Sequence, residues 1–150
     1  MILYLDASAL VKRYVAEPGS AEVSVAIAQA EVVGTALISR AEVAAALAQA
    51  VRTGVLTSED ALAILLIFRN EWPELVRVQV TEALIARADA FAWEYGLRGY
   101  DAVHLAAASL WQDWMGERVT LATFDRRLWA VAEQVGLLPY PDDLSARGQA

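Results

Sequence analysis

An α/β fold is what the sequence predicts: a three-layer α/β/α sandwich on a mainly parallel sheet of four or five strands. Three observations predict it. Short apolar segments alternate with helix-length segments along the chain. The segments between them are mostly ten residues or longer, enough to cross the face of a sheet and return the next strand parallel. And 150 residues suffice for one full hydrophobic core but hardly for two.

The elements follow in order. Residues 2–6 read as an apolar strand closed by Asp6, and 7–14 as a short helix stopped at the turn of Glu17, Pro18 and Gly19. Ser20 is expected to cap a helix to about residue 30, and 32–36 form the second strand. Ser39 is expected to cap a helix to about residue 52, with Glu42 completing a capping box. Thr57 and Asp60 form a second such box, heading a helix that ends near Trp72 and Pro73. Residues 75–80 form the third strand, and a helix from Thr81 ends at Gly96. Asp101 opens a helix to about Trp114, 118–123 form the fourth strand, and 125–135 the last helix. Residues 137–140 are expected as a fifth, edge strand. One domain is thus expected over residues 1–140, with 141–150 as a loose tail.

Composition narrows the function. There is no cysteine and one histidine, which excludes thiolate metal sites, disulfides and imidazole-built zinc sites. The longest apolar run, residues 61–68, is far short of the roughly 20 residues of a spanning helix. The first residues carry no basic start of the kind a secretion signal has. The expected location is the cytoplasm, with no membrane partner. A hydrophobic content of 57% and a mean hydropathy of +0.36 exceed what a monomer of this size needs. The surplus points to an interface, with residues 43–51 and 61–68 as its surfaces, and a homodimer is expected. A net charge of −7 opposes nucleic-acid binding unless carboxylates share bound cations.

Four acids make that exception plausible. Asp6 closes the first strand, Asp125 lies two residues past the fourth, Glu42 is in the helix after the second, and Asp101 heads the helix before the fourth. In a parallel sheet all four positions fall at the C-terminal strand edge, where such folds bind ligands. Converging carboxylates repel one another and are best tolerated around hard cations such as Mg²⁺ or Mn²⁺. One or two ions could activate water against a phosphodiester. Neutralising one acid, as in Asp101→Asn, is therefore expected to stabilise the metal-free protein. Taken singly, each acid is also explained as a helix cap.

The segments Leu5-Asp6-Ala7-Ser8-Ala9-Leu10, Ser39-Arg40-Ala41-Glu42-Val43, Arg98-Gly99-Tyr100-Asp101-Ala102-Val103-His104 and Thr123-Phe124-Asp125-Arg126-Arg127 together resemble PIN-domain ribonucleases, most of all the VapC-type toxins of toxin–antitoxin pairs. The resemblance runs from Ile2 to about Pro139. It implies an endoribonuclease dependent on Mg²⁺ or Mn²⁺, acting on RNA and inhibited by a cognate antitoxin protein. It makes Asp6, Glu42, Asp101 and Asp125 the catalytic, metal-binding acids and Ser8 and Thr123 supporting hydroxyls. Arg98, Arg13 and Arg126 are candidates for gripping RNA phosphates. His104 reads as a buried, hydrogen-bonded histidine. The alternative is a catalytically silent PIN module that binds RNA or a protein partner. A haloacid-dehalogenase reading is opposed by Ser8, where that family has a second Asp. No Gly-rich phosphate loop supports an NTPase.

Overall fold

The structure, a computed structural model, describes residues 1–145. Its strands are β1 (Ile2–Leu5), β2 (Val32–Ala36), β3 (Val76–Val78), β4 (Val119–Ala122) and β5 (Leu138–Tyr140). Its helices are α1 (Ala7–Tyr14), α2 (Ser20–Gln29), α3 (Ser39–Arg52), α4 (Ser58–Glu71), α5 (Glu82–Tyr95), α6 (Gly99–Met115) and α7 (Arg126–Ala132). The sheet has the order β3-β2-β1-β4-β5, and every pairing is parallel.

β1 is buried on both faces, as a central parallel strand requires. Its alternation divides the core in two. Ile2 and Tyr4 face the layer built from α5, α6 and α7, where Leu84, Leu105 and Leu128 are buried. Leu3 and Leu5 face the other layer, with Leu10, Val23, Val43 and Phe68. The two layers and the sheet between them are the predicted sandwich. At Gly34 the absence of a side chain is required. A Cβ there would lie 2.8 Å from the Trp111 ring, which seats α6 on β2.

Several boundaries differ from the sequence expectation for identifiable reasons. Ser20 and Ser39 are first helical residues rather than caps. The cap positions are Gly19 and Ile38. The Ser20 hydroxyl instead donates to the Val15 carbonyl and accepts from the Glu17 amide, while Ser39 hydrogen-bonds Thr35. α6 starts two residues before Asp101, with Arg98 at its cap position. Thr57 caps as expected, accepting from the Asp60 amide, and Thr81 stands just before α5 as its cap, accepting from the Leu84 amide. β3 keeps only Val76–Val78 of the expected longer strand. Within the expected tail, the Pro141 carbonyl accepts from Trp129 Nε1 at 2.7 Å and Leu144 is buried. Residues 146–150 lie outside the described residues.

Candidate active site

At the sheet's C-terminal edge, β1 and β4 leave the sheet side by side and each runs straight into a helix. Their two connections are laced together. The Ser8 hydroxyl donates to Asp6 Oδ1 at 2.7 Å and accepts from the Phe124 amide at 3.0 Å. The Thr123 hydroxyl donates to Asp6 Oδ2 and accepts from the Asp125 amide. Asp6 also caps α1 by accepting from the Ala9 amide at 2.9 Å. Asp6 is buried, and burial pushes its carboxyl above the ordinary value. His104 and the donors Ser8, Thr123 and Ala9 act in the opposite direction without prevailing. Of the roughly four lone-pair positions on a carboxylate, three are taken, leaving one on Oδ2.

Glu42 sits one turn into α3, but it does not complete a capping box. Its Oε1 lies 2.7 Å from His104 Nε2, and Ser39 is turned away toward Thr35. His104 is one turn after Asp101 on α6 and is fully enclosed, as expected of a buried histidine. Its Nδ1 lies 2.8 Å from the Tyr4 hydroxyl. Burial, then the negative charges of Asp6 and Glu42, hold the Tyr4 phenol well above its ordinary pKa, so it keeps its proton. The imidazole is thus held between the Tyr4 hydroxyl and the Glu42 carboxylate, with Nε2–H donating to Glu42. Tyr4 is thus a part of the site that sequence reasoning missed. The available signal was a tyrosine inside an apolar strand, on the face that meets α6.

Asp101 and Asp125 are held differently. Asp125 caps α7 through Oδ1, which accepts from the Leu128 amide at 2.9 Å. Its Oδ2 accepts from Arg98 Nη2 at 2.7 Å. Asp101 Oδ2 accepts from Arg98 Nε at 2.9 Å. Arg98 therefore bridges the two acids, and both raise its already high pKa, Asp101 foremost. The repulsion expected between converging acids is in this way offset by Arg98. With the guanidinium between them, Asp101→Asn is expected to leave the stability of the metal-free protein little changed rather than to raise it.

Asp6, Ser8, Glu42, Arg98, Asp101 and Asp125 line one open cavity of about 530 Å³, together with Tyr100, His104 and Phe124. The other two arginine candidates are not among its lining residues. Arg13 pairs with Glu71 at 3.2 Å, beside Tyr14 in a separate cleft of about 320 Å³, and Arg126 is exposed on α7. That cleft is lined by Glu31, Glu71 and Glu74, whereas the first cavity gathers the four acids at the strand ends.

Whether these residues suit a metal follows from their donor chemistry. Four carboxylates and two hydroxyls are a hard-oxygen set, suited to Mg²⁺ or Mn²⁺. As they stand, no three acidic or histidine side chains among the described residues form a metal-binding cluster. A positive charge already occupies the span between Asp101 and Asp125, as the Arg98 guanidinium. The donor chemistry of the set suits a hard divalent cation.

A family model described as PIN domain matches residues 3–134. Ribonuclease VapC45 of Mycobacterium tuberculosis (strain CDC 1551 / Oshkosh) is 32% identical over 143 residues, 95% of this chain and 97% of that protein. Among solved structures, a toxin–antitoxin complex from Klebsiella pneumoniae superposes with a TM-score of 0.62 at 20% identity, covering 87% of this chain and 91% of that one. VapBC2 from Rickettsia felis, bound to a DNA fragment from its promoter, gives 0.62 at 14% identity over 93% and 97%. At such identities the structural likeness bears on the fold.

Proposed function

The chain belongs to the PIN-domain family, and from that premise we propose that it is a Mg²⁺- or Mn²⁺-dependent endoribonuclease, the toxin of a toxin–antitoxin pair. The observation that carries the reading is the gathering of Asp6, Glu42, Asp101 and Asp125 on one cavity at the strand ends. The kinship to a protein named as a VapC ribonuclease supports it.

One or two hard cations bound by these acids supply activation of a water and neutralisation of the phosphodiester's charge. The chain's own residues do the rest. Ser8, Thr123 and the Ala9 amide fix Asp6 and leave one lone-pair position on Oδ2. Tyr4 and His104 orient Glu42. Asp101 and Asp125 complete the oxygen set. Arg98 and Tyr100, both exposed, line the same cavity and could meet a phosphate and a base of RNA.

For the partner, α4 exposes Leu62, Leu66 and Ile67, each more than half accessible. α3 buries Val43 and Leu47, so α4 is the better surface for a second copy or an antitoxin. No helix among the described residues is long and apolar enough to cross a membrane.

The test is cleavage of RNA in Mn²⁺ or Mg²⁺ with an EDTA control. The expected products carry 5′-phosphate and 3′-hydroxyl ends, and EDTA abolishes them. Cleavage indifferent to EDTA, or cyclic-phosphate products, overturns the reading. RNA binding without cleavage in either metal favours the silent-module alternative.

A further inference from the structure

The two walls of the cavity are neutralised by different kinds of donor. On the Asp6 side the donors are neutral, namely two hydroxyls and an amide. On the Asp101 side the donor is a full cation, and it is poorly enclosed. The Arg98 side chain is 73% exposed, against 13% for Asp101 and 25% for Asp125. Its two hydrogen bonds, at 2.9 and 2.7 Å, go to one oxygen of each acid. A hard divalent ion bridging those acids would seek the same oxygens. The guanidinium and the ion cannot both have them. Because little of the arginine is buried, moving it into water costs little.

The geometry points to Arg98 as a resident counterion: its guanidinium holds Asp101 and Asp125 together in the metal-free protein, yields those oxygens to a divalent cation, and is then free to pair with a phosphate of RNA. This rests on the metal-dependent nuclease reading. It adds a sign that the reading lacks. If Arg98 served only to attract RNA, its removal would leave metal binding unchanged. As a competitor for the metal's oxygens, its removal tightens metal binding and weakens RNA binding at once. The two ligands are also coupled through it. A phosphate that draws the guanidinium off the acids favours the cation, and the cation favours the phosphate, as linkage requires.

The experiment titrates Mn²⁺ alone into the full-length protein by calorimetry at neutral pH and compares the parent with Arg98→Gln, Arg98→Lys and Arg127→Gln. Arg127 lies on α7 and donates to the Gly96 carbonyl, so its replacement removes the same charge without touching the acids. Arg98→Gln is expected to bind Mn²⁺ about fivefold more tightly, the size of effect that two exposed ion pairs carry. Arg98→Lys, which cannot span both acids with a planar fork, falls between it and the parent. Arg127→Gln stays within about twofold of the parent, as expected of a solvent-screened charge whose hydrogen bond goes to the Gly96 carbonyl. At saturating Mn²⁺ the KM for an oligoribonucleotide rises several-fold in Arg98→Gln. Unchanged or weaker Mn²⁺ binding in Arg98→Gln overturns the proposal while leaving the metal reading standing. Equal tightening in Arg127→Gln overturns it too, because net charge alone would then suffice. An unaltered KM removes the phosphate half and so overturns the exchange. Undetectable Mn²⁺ binding in every protein overturns the metal reading itself, and this proposal with it.

Discussion

The two walls of the acid cavity answer one electrostatic problem in opposite ways. The Asp6–Glu42 wall is built into the core. Asp6 is fixed by Ser8, Thr123 and a backbone amide, and Glu42 is tied through His104 to Tyr4. The Asp101–Asp125 wall is joined by one arginine that is largely in water. Buried polar groups lose heavily when a partner is removed. Exposed ion pairs lose little. The difference teaches that the four acids are unequal: Asp6 and Glu42 are held by buried partners, whereas the Oδ2 atoms of Asp101 and Asp125 are held by an exposed arginine.

That contrast is open to direct attack on the framework side. Thr123→Val keeps the shape of the side chain but deletes the hydroxyl that serves both Asp6 and the Asp125 amide. It is expected to cost about 2 kcal/mol, or about 6 °C of melting temperature in EDTA. A thermal melt indistinguishable from the parent's would put Asp6 in a looser setting than the one described.

Tyr4→Phe reaches the same wall from behind. His104 Nδ1 is left without its donor in a buried place, at a cost of about 1 kcal/mol. Glu42 then loses part of its orientation, and RNA cleavage is expected to fall by about tenfold, as for other supporting partners of metal ligands. If cleavage is unchanged while stability falls, Tyr4 is only a core residue.

On the open wall the corresponding substitution should be mild. Asp101→Asn exchanges one exposed ion pair for a neutral contact and is expected to move stability in EDTA by no more than about 0.5 kcal/mol. In millimolar Mn²⁺ the parent should gain stability over the variant through binding. A loss of several degrees in EDTA would show that the open wall is as deeply built in as the other.

The smallest expected effect comes from the separate cleft, where Glu71 is shared by Arg13 and Tyr14. Burial first, then the bond to Glu71, pushes the Tyr14 phenol from 10.0 up to about 12. A pKa raised on folding stabilises the protein fully below the unfolded value, and the gain is lost as pH rises toward the folded one. The stability difference between the parent and Tyr14→Phe should therefore shrink between pH 10.0 and about 12. The change is modest because the group is only half-buried. Denaturation curves with a constant difference across that window would show that Glu71 does not hold the phenol.

Much of the fold was legible because it rests on local patterns. Apolar strands, threonine caps at Thr57 and Thr81 and the glycine that ends α5 with φ +64° are all signals within a few residues. The gathering of the acids was legible too, since parallel topology alone sends Asp6, Glu42, Asp101 and Asp125 to one edge. What stayed hidden depends on distant partners. Ser39 and Glu42 spell a capping box, but Thr35 and His104 compete for them and win. Asp101 reads as a helix start, yet the helix begins at Gly99 and the carboxylate turns back to Arg98. Tyr4 reads as core because nothing near it in the chain announces a histidine 100 residues away.

The lacing between the β1 and β4 connections also sets when the site exists. The bond from Thr123 to Asp6 joins residues 117 apart, and β1 has β4 as one of its two neighbours in the sheet. A nascent chain therefore carries Asp6 and Glu42 early in translation, with neither Thr123 to hold the first nor His104 to orient the second. Only after β4 and the start of α7 have emerged from the ribosome can the sheet close around β1. The wait is long because distant contacts must first overcome the entropy of closing so large a loop. By its topology the cavity cannot form until the chain has been made at least as far as Asp125.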